Sequence, residues 1–364
     1  MKKAVIIGAG QTGRGFIAPI LQENGYELVF LDKDQELAEQ LKREGRYEVR
    51  YFGNQKEART VSGFRAFSME EPEAVVETAE ADVVFVSVFA SHIPELTEHF
   101  KAAAAKRKDG RLTILCFENG VDVKRPLVES GLEAVISEGI IFCTTLRPRP
   151  DSLDLISQDY PELPVDGSVE GLNIHIEGIP LEMNFPALIQ RKIYTYNFIS
   201  AIVAYLGSYK GYEVYGDAAN DEEIARVIAD TVPVISRVIG RKYQVPYEVQ
   251  EEFTNRAVSK FRNREIYDTI YRNARQAERK LGREERLLTP LRLAWEYRED
   301  TRNMELVTAA AVFYGIHCEG MKAEAVLADI KELLDERTAR RIAGILEGLE
   351  GGQSLSKLST DSFF

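Results

Sequence analysis

The sequence predicts an α/β protein, a parallel-sheet domain followed by an all-helical C-terminal domain, and three observations predict it. Through the first half, short β-branched apolar runs alternate with helix-length amphipathic stretches. A glycine-rich turn follows the first such run and opens the first helix. After Pro186 the strand signals stop and only helical spacing remains. The chain has 364 residues, enough for two or three domains at ~100–200 residues each. Its 45% hydrophobic and 29% charged content exclude a collagen-like or largely disordered protein. The expected division is 1–185 for the sheet domain with its connector and 186–350 for the helical domain. A Gly/Ser-rich stretch, 351–364, is expected to form a mobile tail.

Taken in order, 4–7 is a strand, 16–21 carries helical spacing, and 28–31 is a second strand ending in Asp32. A helix is expected over 35–43, a hairpin over 47–52 and 59–62, and the most strand-like run of the chain over 82–88. A helix over 92–105 and strands over 112–116 and 134–141 complete a pattern of parallel strands with right-handed crossovers. Six prolines from Pro148 to Pro186 mark an irregular connector, with 153–157 and 172–176 as candidate strands. Helices are expected over 187–206, 221–243, 265–281, 303–314 and 323–347.

Lys and Arg number 46 against 58 acids, a net charge of −12 that disfavours nucleic acid as a partner. Basic residues nevertheless concentrate in 256–292, where eleven Lys/Arg face five acids, a net of +6 that leaves −18 on the rest. Arg272, Arg275, Arg279, Arg283 and Arg286 recur at a spacing that forms one stripe on a continuous helix. Guanidinium groups so arranged suit a phosphate or a carboxylate; the competing reading is a solvated face salt-bridged to Glu278, Glu284 and Glu285. The three cysteines, Cys116, Cys143 and Cys318, form no CxxC pair, and neither a disulfide framework nor a zinc knuckle is expected. His92, His99, His175 and His317 lack metal-ligand spacing, so no metal site is expected. No run reaches the ~18 apolar residues of a membrane span, and the start Met1-Lys2-Lys3 leads into too short an apolar run for a signal peptide. A cytoplasmic protein is the expectation.

Gly8-Ala9-Gly10-Gln11-Thr12-Gly13 matches G-x-G-x-x-G between strand and helix. Gly8 permits the tight turn, Gly10 lets a pyrophosphate approach the backbone near Gln11, and Gly13 lets the helix pack closely on the strand. Asp32 follows Gly13 by 19 residues, at the end of the second strand. An acid there accepts hydrogen bonds from the adenosine ribose and repels a 2′-phosphate, which favours NAD; Lys33 beside it blunts that repulsion. The competing reading is a glycine turn that binds no nucleotide. A Rossmann-type domain is therefore expected.

The run continues as GAGQTGRGFI through Arg14, Gly15, Phe16 and Ile17, and further segments follow in order. They are Cys116-Phe117-Glu118-Asn119, Gln190-Arg191-Lys192-Ile193-Tyr194-Thr195-Tyr196-Asn197 with AIVAYLG after it, and Arg279-Lys280-Leu281-Gly282 followed by Glu285-Arg286-Leu287. Together they resemble the mannitol-1-phosphate 5-dehydrogenases of the polyol-specific long-chain (mannitol) dehydrogenase family. The resemblance spans residues 4 to about 315. It implies a Rossmann-type domain, a helical C-terminal domain and metal-independent hydride transfer in the cleft between them. It implies that Glu118 and Asn119 belong to the cofactor side and that Lys192 is the general base, its pKa depressed by burial. Asn197 would donate its amide to the reacting oxygen. On a regular helix Lys192, Asn197 and Ser200 would stand at 0°, about 140° and about 80°. Positions matching Arg272 and Lys280 approach the polyol, and Arg279 is placed to hold a phosphate.

The sequence departs from that pattern at three places. Ser200 stands for the family histidine, Phe142 for an asparagine, and Leu146-Arg147 for an Asp-Arg pair. One outcome is a changed substrate, with Ser200 and Thr144 or Thr145 remaking the hydrogen bonds; the other is NAD binding without catalysis. The resemblance implies an NAD-dependent dehydrogenase acting on a hexitol phosphate such as mannitol 1-phosphate. The rivals are an altronate-type hexonate or uronate dehydrogenase and a non-catalytic NAD-binding protein. The expected partner is a small anionic polyol or sugar phosphate, with no nucleic acid, no membrane, and a monomer or homo-oligomer as the assembly.

Overall fold

The structure, a computed structural model, describes residues 2–54, 56–118 and 122–360, which divide into two compact units between Pro186 and Ala187. In the first unit the described residues form the strands β1 (Lys3–Ile7), β2 (Glu27–Asp32), β3 (Arg46–Tyr51), β4 (Arg59–Ser62), β5 (Arg65–Ser68), β6 (Val83–Val86), β7 (Leu112–Phe117) and β8 (Ala134–Gly139). Shorter strands follow in the connector: β9 (Thr145–Leu146), β10 (Leu155–Ser157), β11 (Val165–Asp166) and β12 (Leu181–Glu182). Helices α1 (Ala18–Glu23), α2 (Gln35–Glu44), α3 (Pro72–Glu80), α4 (Thr97–Lys106) and α5 (Arg125–Glu129) alternate with them.

The main sheet has the order β12-β11-β8-β7-β6-β1-β2-β5, and every pair from β8 to β5 is parallel. Strands covered on both faces need apolar side chains at every position, which explains the unbroken Val/Ile runs. Alternate residues divide between two cores. Ala4, Ile6, Leu28, Phe30 and Phe85 pack with Phe16, Ile17 and Leu21, whereas Val5, Ile7, Val29, Leu31 and Val84 pack with Ala74, Phe100 and Leu127. The chain moves outward from β1 to β2 and β5, then returns beside β1 as β6. That reversal is the topological switch point at which α/β sheets bind ligands. A second sheet, β4-β3-β10-β9, packs Tyr47, Val49 and Val61 into the first of these cores.

The second unit is helical. Helix α6 (Phe185–Lys192) opens at the boundary, and a π-turn (Ile193–Asn197) joins it to α7 (Phe198–Tyr209). Then come α8 (Tyr215–Ala219), α9 (Glu222–Tyr243), α10 (Tyr247–Arg262), α11 (Ile270–Ala274), α12 (Ala277–Lys280), α13 (Leu288–Glu296), α14 (Arg302–Glu319), α15 (Ala323–Leu333), α16 (Glu336–Glu350) and α17 (Leu355–Thr360). Helices α7 and α14 are buried on nearly all sides, as helices without a polar face must be. Among the described residues no helix is long and apolar enough to cross a membrane.

Several expectations give way. The helix over 265–281 is two short ones: Gln276 takes a left-handed φ of 64°, and Glu319 accepts from the N–H groups of Gln276 and Ala277 at 2.5 and 2.8 Å. The five arginines therefore form no single stripe. The helix over 323–347 breaks before Asp335, whose carboxylate caps α16 through the Thr338 N–H at 2.5 Å. Residues 172–176 contribute only an isolated bridge at Ile176. Part of the tail is helical, with Leu355 and Leu358 buried in the helical core; 361–364 lie outside the described residues. Helices α10 and α13 were not expected.

Glu305 of α14 is 1% exposed and takes both oxygens to Arg341 of α16, at 2.8 and 2.5 Å. Arg341→Met should leave that carboxylate buried without its cation and cost ~3–5 kcal/mol. Urea unfolding checks this, and an unchanged midpoint would contradict it.

Candidate active site

The glycine turn lies at the switch point, after β1. Gly8 has a φ of +93°, and a Cβ there would strike the Ser87 carbonyl; a Cβ at Gly13 would strike the Gly8 carbonyl. Only glycine fits either place. Gly10 differs, since a Cβ on it would meet nothing within 4 Å, and Gln11 beside it is exposed. The backbone is thus open at the one glycine that a pyrophosphate has to approach, and the residues present fit a dinucleotide.

Asp32 closes β2. One carboxylate oxygen accepts from the Ala9 N–H at 2.7 Å and the other from the Asp34 N–H at 2.9 Å, so the acid fixes the turn. Each oxygen keeps a lone pair for another donor. Lys33 reaches the His92 Nε2 at 3.5 Å. Glu118 follows β7, half-buried, whereas Asn119 lies outside the described residues.

Arg14 is 2% exposed, and its donors go to two carbonyls, Ala9 at 2.7 Å and Leu153 at 2.5 Å. The Tyr47 hydroxyl in turn donates to the Arg14 carbonyl at 2.8 Å. Burial lowers the guanidinium below its ordinary pKa, but a group that starts so high stays charged. This arginine ties the glycine turn to the connector.

In the second unit Lys192 ends α6 and Asn197 ends the π-turn, and both are half-buried. The regular-helix angle of about 140° between them therefore does not apply. With i→i+5 bonding, residues five apart stand about one turn above each other, so the lysine and asparagine share a face. The Tyr194 hydroxyl of the same turn donates to the Glu284 carbonyl at 3.1 Å. Ser200, on the first turn of α7, lies 2.9 Å (Oγ) from the hydroxyl of Tyr215. Burial holds that phenol neutral, well above the usual tyrosine range. Tyr215 was not singled out from the sequence.

Lys280 is 6% exposed; its amine donates to the Asn273 carbonyl at 2.5 Å and stands 5.9 Å from the Tyr205 ring centre. Desolvation first, then the charges of Arg286, Arg279 and Arg275, push it down to about 8, with Glu319 opposing. Arg279 and Lys280 are thus neighbours and Arg286 joins them, and Glu285 pairs with both arginines, with Arg279 at 2.9 Å and with the buried Arg286 Nε at 3.5 Å. The sequence pattern contained Arg286 but gave no reason to prefer it. Arg272 and Arg279 are both exposed; Arg272 is paired with Asp268 at 3.2 Å, and Arg283 is taken up by Asp329 and Glu332.

Phe142 and the two threonines named beside it are engaged within the sheet unit. Phe142 is 2% exposed and stacks on Tyr160 with ring centres 5.2 Å apart. Thr145 cannot replace a lost substrate contact, because its buried hydroxyl pairs with that of Ser157 at 2.9 Å in the second sheet. The Thr144 N–H is held by Gln158 at 2.7 Å. Among the described residues no three His, Cys, Asp or Glu side chains group as a metal would require.

Comparison with known proteins adds a name to this geometry. Residues 2–145 match the mannitol dehydrogenase Rossmann domain, and 184–346 match the mannitol dehydrogenase C-terminal domain. A mannitol-1-phosphate 5-dehydrogenase of Thermoanaerobacter pseudethanolicus is 29% identical, over 95% of this chain and 94% of its own length. One from Caldanaerobacter subterraneus is 27% identical, over 96% and 95%. Among solved structures, a D-sorbitol dehydrogenase in substrate-free form superposes with a TM-score of 0.72 at 15% identity, covering 98% of this chain and 90% of that one. The Pseudomonas fluorescens mannitol 2-dehydrogenase in complex with NAD and D-mannitol gives 0.63 at 12%, covering 98% and 93%.

The depressed Lys280 has a consequence for stability. Between about 8 and the ordinary 10.5 the unfolded chain holds this proton and the folded one does not. Stability contributed by this group therefore rises with pH across that window. Lys280→Met should remove that rise from the pH dependence of the unfolding free energy; an unchanged slope would contradict it.

Proposed function

The chain belongs to the mannitol dehydrogenase family, and from that premise we propose that it is an NAD-dependent polyol dehydrogenase. Its substrate on this reading is a hexitol phosphate such as mannitol 1-phosphate, interconverted with the matching ketose phosphate without a metal. The observation that carries the phosphate is the group of Lys280, Arg279 and Arg286. Three cations lie close together around one carboxylate: the Lys280 amine is depressed first by burial and then by Arg286 and Arg279, and Glu285 pairs with Arg279 at 2.9 Å and with the Arg286 Nε at 3.5 Å. Three cations against that one carboxylate leave positive charge in excess, which a dianion balances, and guanidinium forks meet it bidentately. The full-length relatives named mannitol-1-phosphate 5-dehydrogenase support the same substrate.

On this reading Gly8, Gly10, Gln11, Gly13 and Asp32 hold the dinucleotide, with Glu118 and Asn119 on the same side. NAD bound there supplies the hydride acceptor. Lys192, as the neutral amine, takes the proton of the reacting hydroxyl, and Asn197 donates its amide hydrogen to the oxygen as charge builds on it. Ser200 adds a second hydroxyl-bearing contact where the family carries an imidazole. Arg279, Lys280 and Arg286 fix the far end of the substrate, and Arg272 remains as an exposed cation at the approach. The boundaries 1–185 and 186–350 serve as cofactor-binding and substrate domains. A hexonate is the second reading, because the same cations accept a carboxylate.

NADH formation measured on mannitol 1-phosphate, mannitol and altronate decides between them. Turnover with the phosphate ester at least ~10-fold above the others is expected, since a charged hydrogen-bonded anchor is worth about 1.5–3 kcal/mol. Silence on all three would overturn the proposal. Asp32→Asn keeps one acceptor for the Ala9 N–H and removes the charge that faces a 2′-phosphate. It should raise the KM for NAD and lower that for NADP, and an unchanged ratio would contradict the role given to Asp32.

A further inference from the structure

We propose that Gln250 is a positioning residue for the Lys192 base, acting by bracing the π-turn from α10; the inference rests on the reading of Lys192 given above. Gln250 is fully buried on a helix whose neighbouring inward positions are Phe253, Thr254 and Ala257. A buried primary amide is costly unless all its groups are satisfied, so its bonds need an account. Its carbonyl oxygen accepts from Arg191 Nε at 3.1 Å, and its amide nitrogen donates to Thr195 Oγ1 at 3.0 Å. Arginine only donates, which fixes the orientation of the amide.

These two partners flank Lys192, one residue before it and three after, and Thr195 lies inside the π-turn. One side chain thus grips both sides of the place where the winding changes. π-turns are rare and short, and this one sets which face Asn197 shares with the lysine. The grip is itself supported. The Arg191 guanidinium lies 4.9 Å from the Phe253 ring centre, one turn along α10. The Tyr243 hydroxyl donates to the Gln190 side chain at 2.8 Å. The Thr254 hydroxyl donates to the Gln250 backbone carbonyl at 2.8 Å and receives from Ser236 at 3.1 Å. Gly240 of α9 leaves the room: a Cβ on it would stand 3.6 Å from that of Gln250 and closer still to the Val245 carbonyl.

The experiment compares Gln250→Met and Gln250→Glu with the wild type in the full chain. Methionine keeps the volume and loses both bonds; a carboxylate accepts from Arg191 and from the Thr195 hydroxyl, so it keeps both. With mannitol 1-phosphate and NAD, Gln250→Met should lower kcat ~10–100-fold, the cost of misplacing a catalytic group by about an ångström. KM for NAD should stay put, and Gln250→Glu should stay within about threefold of wild type because its hydrogen bonds remain and become charge-assisted. Equal kcat in wild type and Gln250→Met would overturn the inference, as would a loss that Gln250→Glu does not restore. Amide hydrogen exchange supplies a readout independent of turnover. Gln250→Met should lose protection over 193–198 while α14 keeps its own, and unchanged exchange there would refute the brace. Lys192→Ala, assayed in parallel, separates the two ideas: if it stays active, the reading of Lys192 fails whatever Gln250 does.

Discussion

Five residues wound with the wrong period for an α-helix, Ile193–Asn197, organise the helical unit. The turn puts Lys192 and Asn197 on one face, sends the Tyr194 hydroxyl to the Glu284 carbonyl, and delivers the chain into α7. From there α7 reaches the basic segment directly. Tyr205 donates to the Ala274 carbonyl at 3.0 Å, and its ring lies 5.9 Å from the Lys280 amine. Both lysines are therefore referred to one buried helix. A change that rewinds the turn moves Lys192 relative to Asn197 and also disturbs the frame on which the basic segment sits.

The sheet unit solves a similar problem by different means. There the glycine turn is held from two directions, by the Asp32 carboxylate on the Ala9 N–H and by Arg14 on the Ala9 carbonyl. Arg14 itself lies in a second π-turn, Gly13–Ile17, which leads directly into α1. The buried guanidinium costs desolvation that two carbonyl acceptors partly offset. Its second acceptor, Leu153, belongs to the connector, so the geometry of the turn depends on a segment more than a hundred residues away.

Much of the sheet unit was legible because its signals are local. Unbroken β-branched runs mark strands covered on both faces, and the spacing from Gly8 to Asp32 records a turn that tolerates few residues. The hairpin over 47–52 and 59–62 appears as β3 paired antiparallel with β4. What could not be read depends on distant partners. Nothing near Arg275 and Gln276 says that Glu319 will take their helix's N–H groups, and so a continuous arginine stripe looked sound. Gln250 is unremarkable in sequence until Arg191 and Thr195 are seen on either side of it. Phe142 is the converse case. The resemblance implies a polar side chain there, whereas the structure buries Phe142 and stacks it on Tyr160, a partner that the sequence does not announce.

The central claim is that the Lys192 amine moves the proton. Chemical rescue tests it most directly: Lys192→Ala is assayed with NAD and polyol phosphate in the presence of small primary amines of graded basicity. The account predicts a loss of ~10²–10⁴-fold in kcat, partly restored by added amine, with a rescue rate that rises with amine basicity. Full activity without Lys192, or a loss that no amine restores, would contradict it.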